Sequence, residues 1–385
     1  MARALASVAK VDSAKNNSNH YHIENITIFE KASCLEKALS ASASGNPIGV
    51  LHPMITKHVF SREWTDEGIL TTLRWIKELE ISSKFYSLCG VLHLPRDIKQ
   101  ANQWSNWNDY KDLKSKYMTK SKIKKNLNLN IRDFGAMWTP QCGWVKPIEF
   151  LKAALEETKK KLGKKINLVF NSKIISNDIT SLNKSKNSFS NLKSFDVVII
   201  SAGYGSKELI KVDTSVQNKK PIIELVNGQI TSLPIEKSKL SKNIKINHVI
   251  CRSGYITPIV DGFIHFGATY ENIEKPHSIP TYANRLENLK RLEELSNQKK
   301  NLIDFKSKSI IDRVSTRCVS KDRLPIIGIL EKKQHHIYAF SAFGSRGLSW
   351  CPNAAEKLAQ IILCKNVNNL ASSMDKYIFP GRFGL

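Results

Sequence analysis

Ile26-Thr27-Ile28-Phe29-Glu30 is a β-branched, apolar run closed by an acid, and the chain leading to it, Ala2 to Lys10 (ARALASVAK), reads as helix. A helix feeding a buried strand that ends in a carboxylate is the second half of a βαβ nucleotide-binding unit. There the strand-end acid accepts hydrogen bonds from ribose hydroxyls. A solvated turn acid would give the same local pattern. The polar stretch Asp12 to His22 between them reads as a loop, and no G-x-G-x-x-G precedes the helix. The first strand and its phosphate loop are therefore expected upstream of Met1.

Phe195-Asp196-Val197-Val198-Ile199-Ile200-Ser201-Ala202-Gly203-Tyr204-Gly205 repeats the theme as a continuous apolar strand running into a turn of small residues. Central parallel strands have this form, and their carboxyl ends meet ligands. Ala41 to Pro53 (ASASGNPIGVLHP) is small and glycine-rich, which lets backbone approach a flat ligand and offer it N–H donors; a flexible loop is the alternative.

Around these runs the chain alternates. Trp64, Ile69, Leu73, Ile76 and Leu79 recur at helical spacing between Glu63 and Leu79, a helix packed on core. Ala136 to Val145 reads as a strand pair leading into a helix from Pro147 to Lys161, with proline in the first turn. Ile166 to Phe170 and Lys173 to Ile175 read as strands, and Leu182 to Leu192 as a polar hairpin tip. Gly228 to Leu233, His248 to Pro258 and Gly262 to Tyr270 read as antiparallel strands of a second layer, followed by a helix over Ala283 to Leu295. Val314 to Gly328 returns to the first layer, and a helix near Asn353 to Leu363 ends the pattern. No repeat occurs at solenoid spacing.

The 385 residues allow about two domains. Apolar residues at 41% and charged residues at 24% exclude collagen, wholesale disorder and a membrane bundle. No apolar run approaches the ~20 residues of a membrane span, and Met1 to Lys10 lacks the apolar stretch of a signal peptide. Seven widely spaced cysteines without a C-x-x-C pair fit a reducing cytoplasm better than a disulfide framework or a zinc site. Lys plus Arg, 59, exceeds Asp plus Glu, 34, by 25 charges. Such a field recruits polyanions, RNA first among them, although a coding bias toward Lys and Asn produces the same excess. The Lys/Asn-rich stretch Lys111 to Asn130 is open in the same way, to a solvated face, an insertion or an RNA contact.

Three motifs carry a resemblance. A-S-G-N-P-I-G-V-L-H-P spans Ala43 to Pro53, followed by Thr56-Lys57; R-C-V-S-K-D-R-L-P-I-I-G spans Arg317 to Gly328; G-S-R-G-L-S-W spans Gly344 to Trp350, followed by Pro352 and Ala354-Ala355. Gly228-Gln229 and Gly267 to Tyr270 add weaker matches. In this order they resemble the FAD-dependent glycine oxidase and D-amino-acid oxidase-like flavoproteins, and within these the oxidoreductase half of the bifunctional tRNA 5-methylaminomethyl-2-thiouridine biosynthesis proteins. The resemblance covers nearly the whole chain. It departs in two places: the dinucleotide loop is not found before the first helix, and the methyltransferase half is absent.

The resemblance implies an α/β fold with a Rossmann-type FAD-binding domain (1–60, 145–225 and 310–385) and a discontinuous antiparallel-sheet substrate domain (61–144 and 226–309). It implies FAD as cofactor, tRNA as substrate, and a separate methyltransferase as a candidate partner. The implied reaction strips the carboxymethyl part, as glyoxylate, from 5-carboxymethylaminomethyl-(2-thio)uridine at the wobble position. Arg317, preceding Asp322-Arg323-Leu324-Pro325, would bind the substrate carboxylate; an ion pair with Asp322 is the alternative. Arg346 would lie over the pyrimidine edge of the flavin, with Gly347 and Leu348 offering N–H groups and Gly344 and Ser345 completing the loop. Tyr255 and Tyr270 would form the substrate wall or else pack as core aromatics. Glu30, Lys31, Ser44, Gly45, Asn46 and Gly49 would contact FAD, with Ile174 beside the adenine and Ser201, Ala202 and Gly203 at the strand end. None of the ten histidines shows ligand spacing, so none, His52 included, is assigned to a metal. A small-molecule glycine or secondary-amine oxidase is the alternative in the same fold. An inert, cofactor-free truncated chain is the alternative outside it.

Overall fold

Ile26–Phe29 forms a strand that pairs parallel with Ile166–Val169, Ile26 opposite Ile166 and Phe29 opposite Val169. Val197–Ile200 pairs parallel with His336–Ser341, whose other edge carries Ile326–Lys332 antiparallel. The computed structural model describes residues 1–14, 22–107, 112–131, 134–181, 192, 194–210, 222–235, 246–296, 309–332, 336–363 and 375–383. Among them, the strands Ile26–Phe29 and Val197–Ile200 each pair on one side only.

The second layer is a nine-stranded sheet. Its spine is the 12-residue strand Ile223–Pro234, which pairs antiparallel with Ile311–Ser320, Phe263–Gly267 and Glu271–Ile273. Phe263–Gly267 pairs with Tyr255–Val260, and that strand with Val249–Cys251. Val249–Cys251 then runs parallel to Val91–His93, and the sheet closes with Ala136–Thr139 and Lys116–Met118. The fold is mixed α/β, with helix Tyr282–Ser296 burying Leu289 and Leu292 against this sheet.

Two helices tie the layers together. Val59–Glu78 packs on Gly347–Leu363, putting Phe60, Trp64, Trp75 and Ile76 in one core with Trp350, Leu358, Phe340 and Ala4. A Cβ on Gly68 would sit 1.8 Å from the Ser349 carbonyl, so glycine permits this close crossing. The last helix starts at Gly347 rather than near Asn353, with Pro352 inside it. Proline removes the N–H that would reach the Leu348 carbonyl four residues back. Thr72 Oγ1 donates to that carbonyl at 2.6 Å instead.

These contacts bear on two expected boundaries. Val59–Glu78, mostly inside the 61–144 segment assigned to the substrate domain, packs both ways: Phe60, Trp64, Trp75 and Ile76 meet the last helix, and Ile69 meets Val91, Val249 and Cys251 of the nine-stranded sheet. Ile311–Ser320, assigned to the FAD-binding domain, pairs with the spine of the nine-stranded sheet. Lys173 to Ile175 is not a strand. The pair Ala136–Thr139 and Gly143–Val145 splits between sheets, since Gly143–Val145 pairs with Gly49–Leu51 and Tyr86–Ser87. The expected hairpin tip at 182–192 lies outside the described residues except for Leu192.

Candidate active site

A cavity of 2320 Å³ runs between the two parallel pairs and on to the nine-stranded sheet. That is more than twice the upper range of an ordinary small-molecule pocket, the size an extended dinucleotide and a substrate would need together. All the proposed site residues line it except Gly45. A Cβ on Gly45 would lie 2.4 Å from the Ser40 carbonyl and 2.5 Å from Arg313 Nη2, so this glycine serves the turn itself.

At the inner end stand two buried guanidiniums. Arg317 is 8% exposed, and its one described hydrogen bond runs from Nη1 to the Thr269 carbonyl at 3.5 Å. Asp322, its expected alternative partner, is bound instead by Arg382, Nε to Oδ2 at 2.7 Å. Among the described residues no carboxylate pairs with Arg317, and burial pulls its pKa down. A Cβ on Gly228 would sit 2.3 Å from the guanidinium, so that glycine makes its seat. Tyr255 lies on another strand of the same sheet, Tyr255–Val260, its phenol pushed up chiefly by burial, with Arg317 acting in the opposite sense. Tyr270 is at the rim, 49% exposed, its hydroxyl held by Arg323.

Arg346 is pulled down to about 10 by burial, and its Nη1 has no partner among the described residues. It sits in the turn before helix Gly347–Leu363, whose first-turn N–H groups lack intrahelical acceptors and so add positive potential. Gly344 takes φ +56°, a left-handed conformation suited to glycine, to make the turn. Gly49 faces it, since a Cβ there would lie 2.1 Å from Leu348 Cδ1.

Two histidines complete the pocket. The His52 and His93 rings lie 5.4 Å apart, and both pKa values are lowered, first by burial and next by Arg346, that of His93 to about 4. Cys251, opposite His93 in register, is pushed up to about 12 by burial. At neutral pH this wall is uncharged apart from the arginines. Reasoning from sequence left His52 as a packing residue and missed His93 and Cys251, because positions 93 and 251 meet only through strand register, and His52 reaches His93 from the end of a strand in another sheet.

The outer end is built differently. Glu30 Oε1 accepts from the Ala32 N–H at 2.9 Å, leaving Oε2 for a ligand. Lys31 is engaged with Tyr204, its Nζ 4.1 Å from the ring centroid. Asn46 is held by Arg313, which also donates to the Ser40 and Ser42 carbonyls, each at 2.7 Å. Ser44, Ile174, Ser201, Ala202 and Gly203 line the cavity with small side chains or backbone.

Residues 22–361 match the model of the family described as FAD dependent oxidoreductase. The chain belongs to this family. This flavoenzyme is 25% identical, over 84% of its length, to the tRNA 5-methylaminomethyl-2-thiouridine biosynthesis bifunctional protein MnmC of Methylobacillus flagellatus, of which the match covers 51%. It is 26% identical, over 93% of its length and 56% of the relative, to the protein of that name from Thiobacillus denitrificans. The chain thus spans about half the length of the curated relatives it matches. Among solved structures it resembles L-proline dehydrogenase from P. horikoshii (TM-score 0.70, 18% identity, 98% of this chain and 93% of that one). It also resembles glycine oxidase from Bacillus cereus (TM-score 0.63, 18% identity, 93% and 91%). These likenesses place the fold among D-amino-acid oxidase-like flavoenzymes, and the cofactor of the family is FAD. The inner end fits a flavin: the unpartnered Nη1 of Arg346 and the first turn of its helix would supply the positive potential that a reduced flavin needs. Among the described residues no helix is long and apolar enough to cross a membrane.

Proposed function

We propose that this flavoenzyme removes the carboxymethyl group of 5-carboxymethylaminomethyl-(2-thio)uridine at the tRNA wobble position, giving 5-aminomethyl-(2-thio)uridine and glyoxylate. The observation that carries the reading is Arg317, a buried cation without a carboxylate partner, in the cavity of an FAD-dependent oxidoreductase. Leaving such a charge uncompensated is costly, and a substrate carboxylate is the missing counterion. The names of the curated relatives and the excess of 25 positive charges support tRNA as the carrier of that carboxylate.

When bound, FAD supplies the acceptor for the hydride that leaves the carbon between amine and carboxylate. Arg317 fixes the plane of the carboxylate and so aims that carbon. Arg346 and the first turn of its helix hold positive potential at the flavin's pyrimidine edge. Tyr255 walls the substrate, while neutral His52 and His93 keep the pocket free of competing charge. Water then splits the imine, freeing glyoxylate and the aminomethyl nucleoside. At the outer end Glu30 would hold ribose, Gly49 would seat the flavin loop, and Ser201 to Gly203 would pass beneath the cofactor. A separate methyltransferase acting on the amine product is the partner this reaction calls for.

Incubating flavin-loaded protein with tRNA that bears the carboxymethylaminomethyl group, then analysing nucleosides by mass spectrometry, tests the reading. Appearance of the aminomethyl nucleoside is expected. Unchanged tRNA from flavin-loaded protein, with hydrogen peroxide formed from glycine or sarcosine, would assign the same pocket to a small amine.

A further inference from the structure

The edge of the nine-stranded sheet carries a concentration of charge that the cavity does not use. Lys114, Lys116, Lys120, Lys122, Lys124 and Lys125 are all exposed, and residues 114–125 contain no acid. Lys116 lies on the edge strand Lys116–Met118 and the last four on helix Lys120–Leu127. Among the described residues, none of Lys114, Lys116, Lys122, Lys124 or Lys125 lies in an ion pair. The lysines of helix Pro147–Leu162 behave otherwise: Lys152, Lys159 and Lys161 pair with Glu149, Glu156 and Glu157 one turn earlier.

The start of the basic helix is also arranged against its own stability, although Lys124 and Lys125 in the last turn suit the dipole. Lys120 and Lys122 occupy the first turn, where the helix dipole disfavours cations, and that turn contains no acid of its own. Lys120 and Lys124 are like charges at i,i+4, and Lys122 and Lys125 at i,i+3. Burial of Ile123 in the core and the cap from Thr119, accepting from Lys122 N–H at 3.4 Å, hold the helix in place. Charges kept where they oppose local structure call for an external polyanion.

Register ties this edge to the cavity. Cys251 lies opposite His93, His93 opposite Met137, and Met137 opposite Tyr117, in one row across four strands. His93 and Cys251 line the cavity. Tyr117 is two strand spacings from His93, about 10 Å, and Lys116 is its neighbour in sequence.

We infer that the Lys114–Lys125 edge is a docking surface for the phosphate backbone of an RNA whose modified base enters the cavity. The inference rests on the proposed tRNA substrate and adds the surface that would hold it. Each lysine on a phosphate releases a counterion, so affinity falls with log salt at a slope of about −0.9 per contact on duplex.

The test compares wild type with K116E/K122E/K124E/K125E, a Gln version of the same four sites, and a control of equal charge change, K152E/K159E/K160E/K164E. Retained flavin and unchanged oxidation of the free modified nucleoside certify each fold. The expected result is a tRNA affinity at least ~10-fold weaker for both edge variants, with a salt slope shallower by about 3 to 4, and a far smaller loss for the control. Equal losses in edge and control variants would assign the effect to net charge and overturn the inference. So would unchanged affinity, or wild-type binding to anionic vesicles but not to tRNA. If wild type converts tRNA and the edge variants do so equally well, the docking surface alone fails. If wild type converts neither tRNA nor nucleoside, the functional reading fails with it.

Discussion

The two ends of the cavity are built by opposite means. At the inner end a continuous nine-stranded sheet holds Arg317 in a buried seat without a counterion, near Arg346 and neutral histidines. At the outer end the parallel sheet is in two pieces, Ile26–Phe29 with Ile166–Val169 and Val197–Ile200 with His336–Ser341. There Glu30 and Asn46 are half-buried and Lys31 is exposed, and each already has a neighbour: the Ala32 N–H, Arg313 and Tyr204 in turn. At the inner end charge is in place before any ligand arrives, whereas at the outer end backbone and small residues make up much of the lining.

The contrast breaks most sharply at Arg317. Arg317→Met is expected to lower kcat/KM by about 10³-fold, on the order of 4 kcal/mol, because the substrate carboxylate would be desolvated without its cation. Flavin content should be unchanged. A loss under about 5-fold in steady-state assays would remove the carboxylate role.

Acid should separate the two halves. His93 and His265, both on the nine-stranded sheet, have pKa values lowered to about 4, chiefly by burial. The unfolded chain protonates them first, near pH 6.5, so their contribution is complete above that pH and is lost as pH falls toward 4. Each is worth on the order of 3 kcal/mol at most, less where water reaches the ring. Hydrogen-exchange protection factors at pH 5 against pH 7 should fall in the nine-stranded sheet before they do in the parallel pairs. An equal fall in both would dissolve the distinction.

The smallest effect is expected at the outer end. Glu30→Gln should weaken FAD binding by about 3 to 5-fold, under 1 kcal/mol, since one carboxylate oxygen already serves Ala32 N–H. Calorimetric titration of apoprotein checks this. A change above about 100-fold would show that the outer end is as charge-dependent as the inner.

What the sequence disclosed follows the range of the interactions. The Ala43–Pro53, Arg317–Gly328 and Gly344–Trp350 motifs were legible because turn, glycine and arginine lie within a dozen residues of one another. The strands Ile26–Phe29 and Val197–Ile200 were legible from β-branched runs. The Ile223–Pro234 strand was read six residues short because both its faces are buried and alternation vanishes. His93 and Cys251 were hidden because the parallel pairing of Val91–His93 with Val249–Cys251 joins segments some 160 residues apart. Pro352 concealed the true start of the last helix, since the Thr72 hydroxyl that compensates for it lies 276 residues from Leu348.

That last bond has a consequence for the order of events in synthesis. The loop carrying Arg346 is anchored by a helix that leaves the ribosome almost three hundred residues earlier, and the loop itself emerges only near the end of the chain. The nascent protein can pair most of its strands and seat Arg317 before this loop arrives, but the pocket around Arg346 is completed only when translation is nearly finished. Incomplete chains that stop short of this loop lack that end of the cavity.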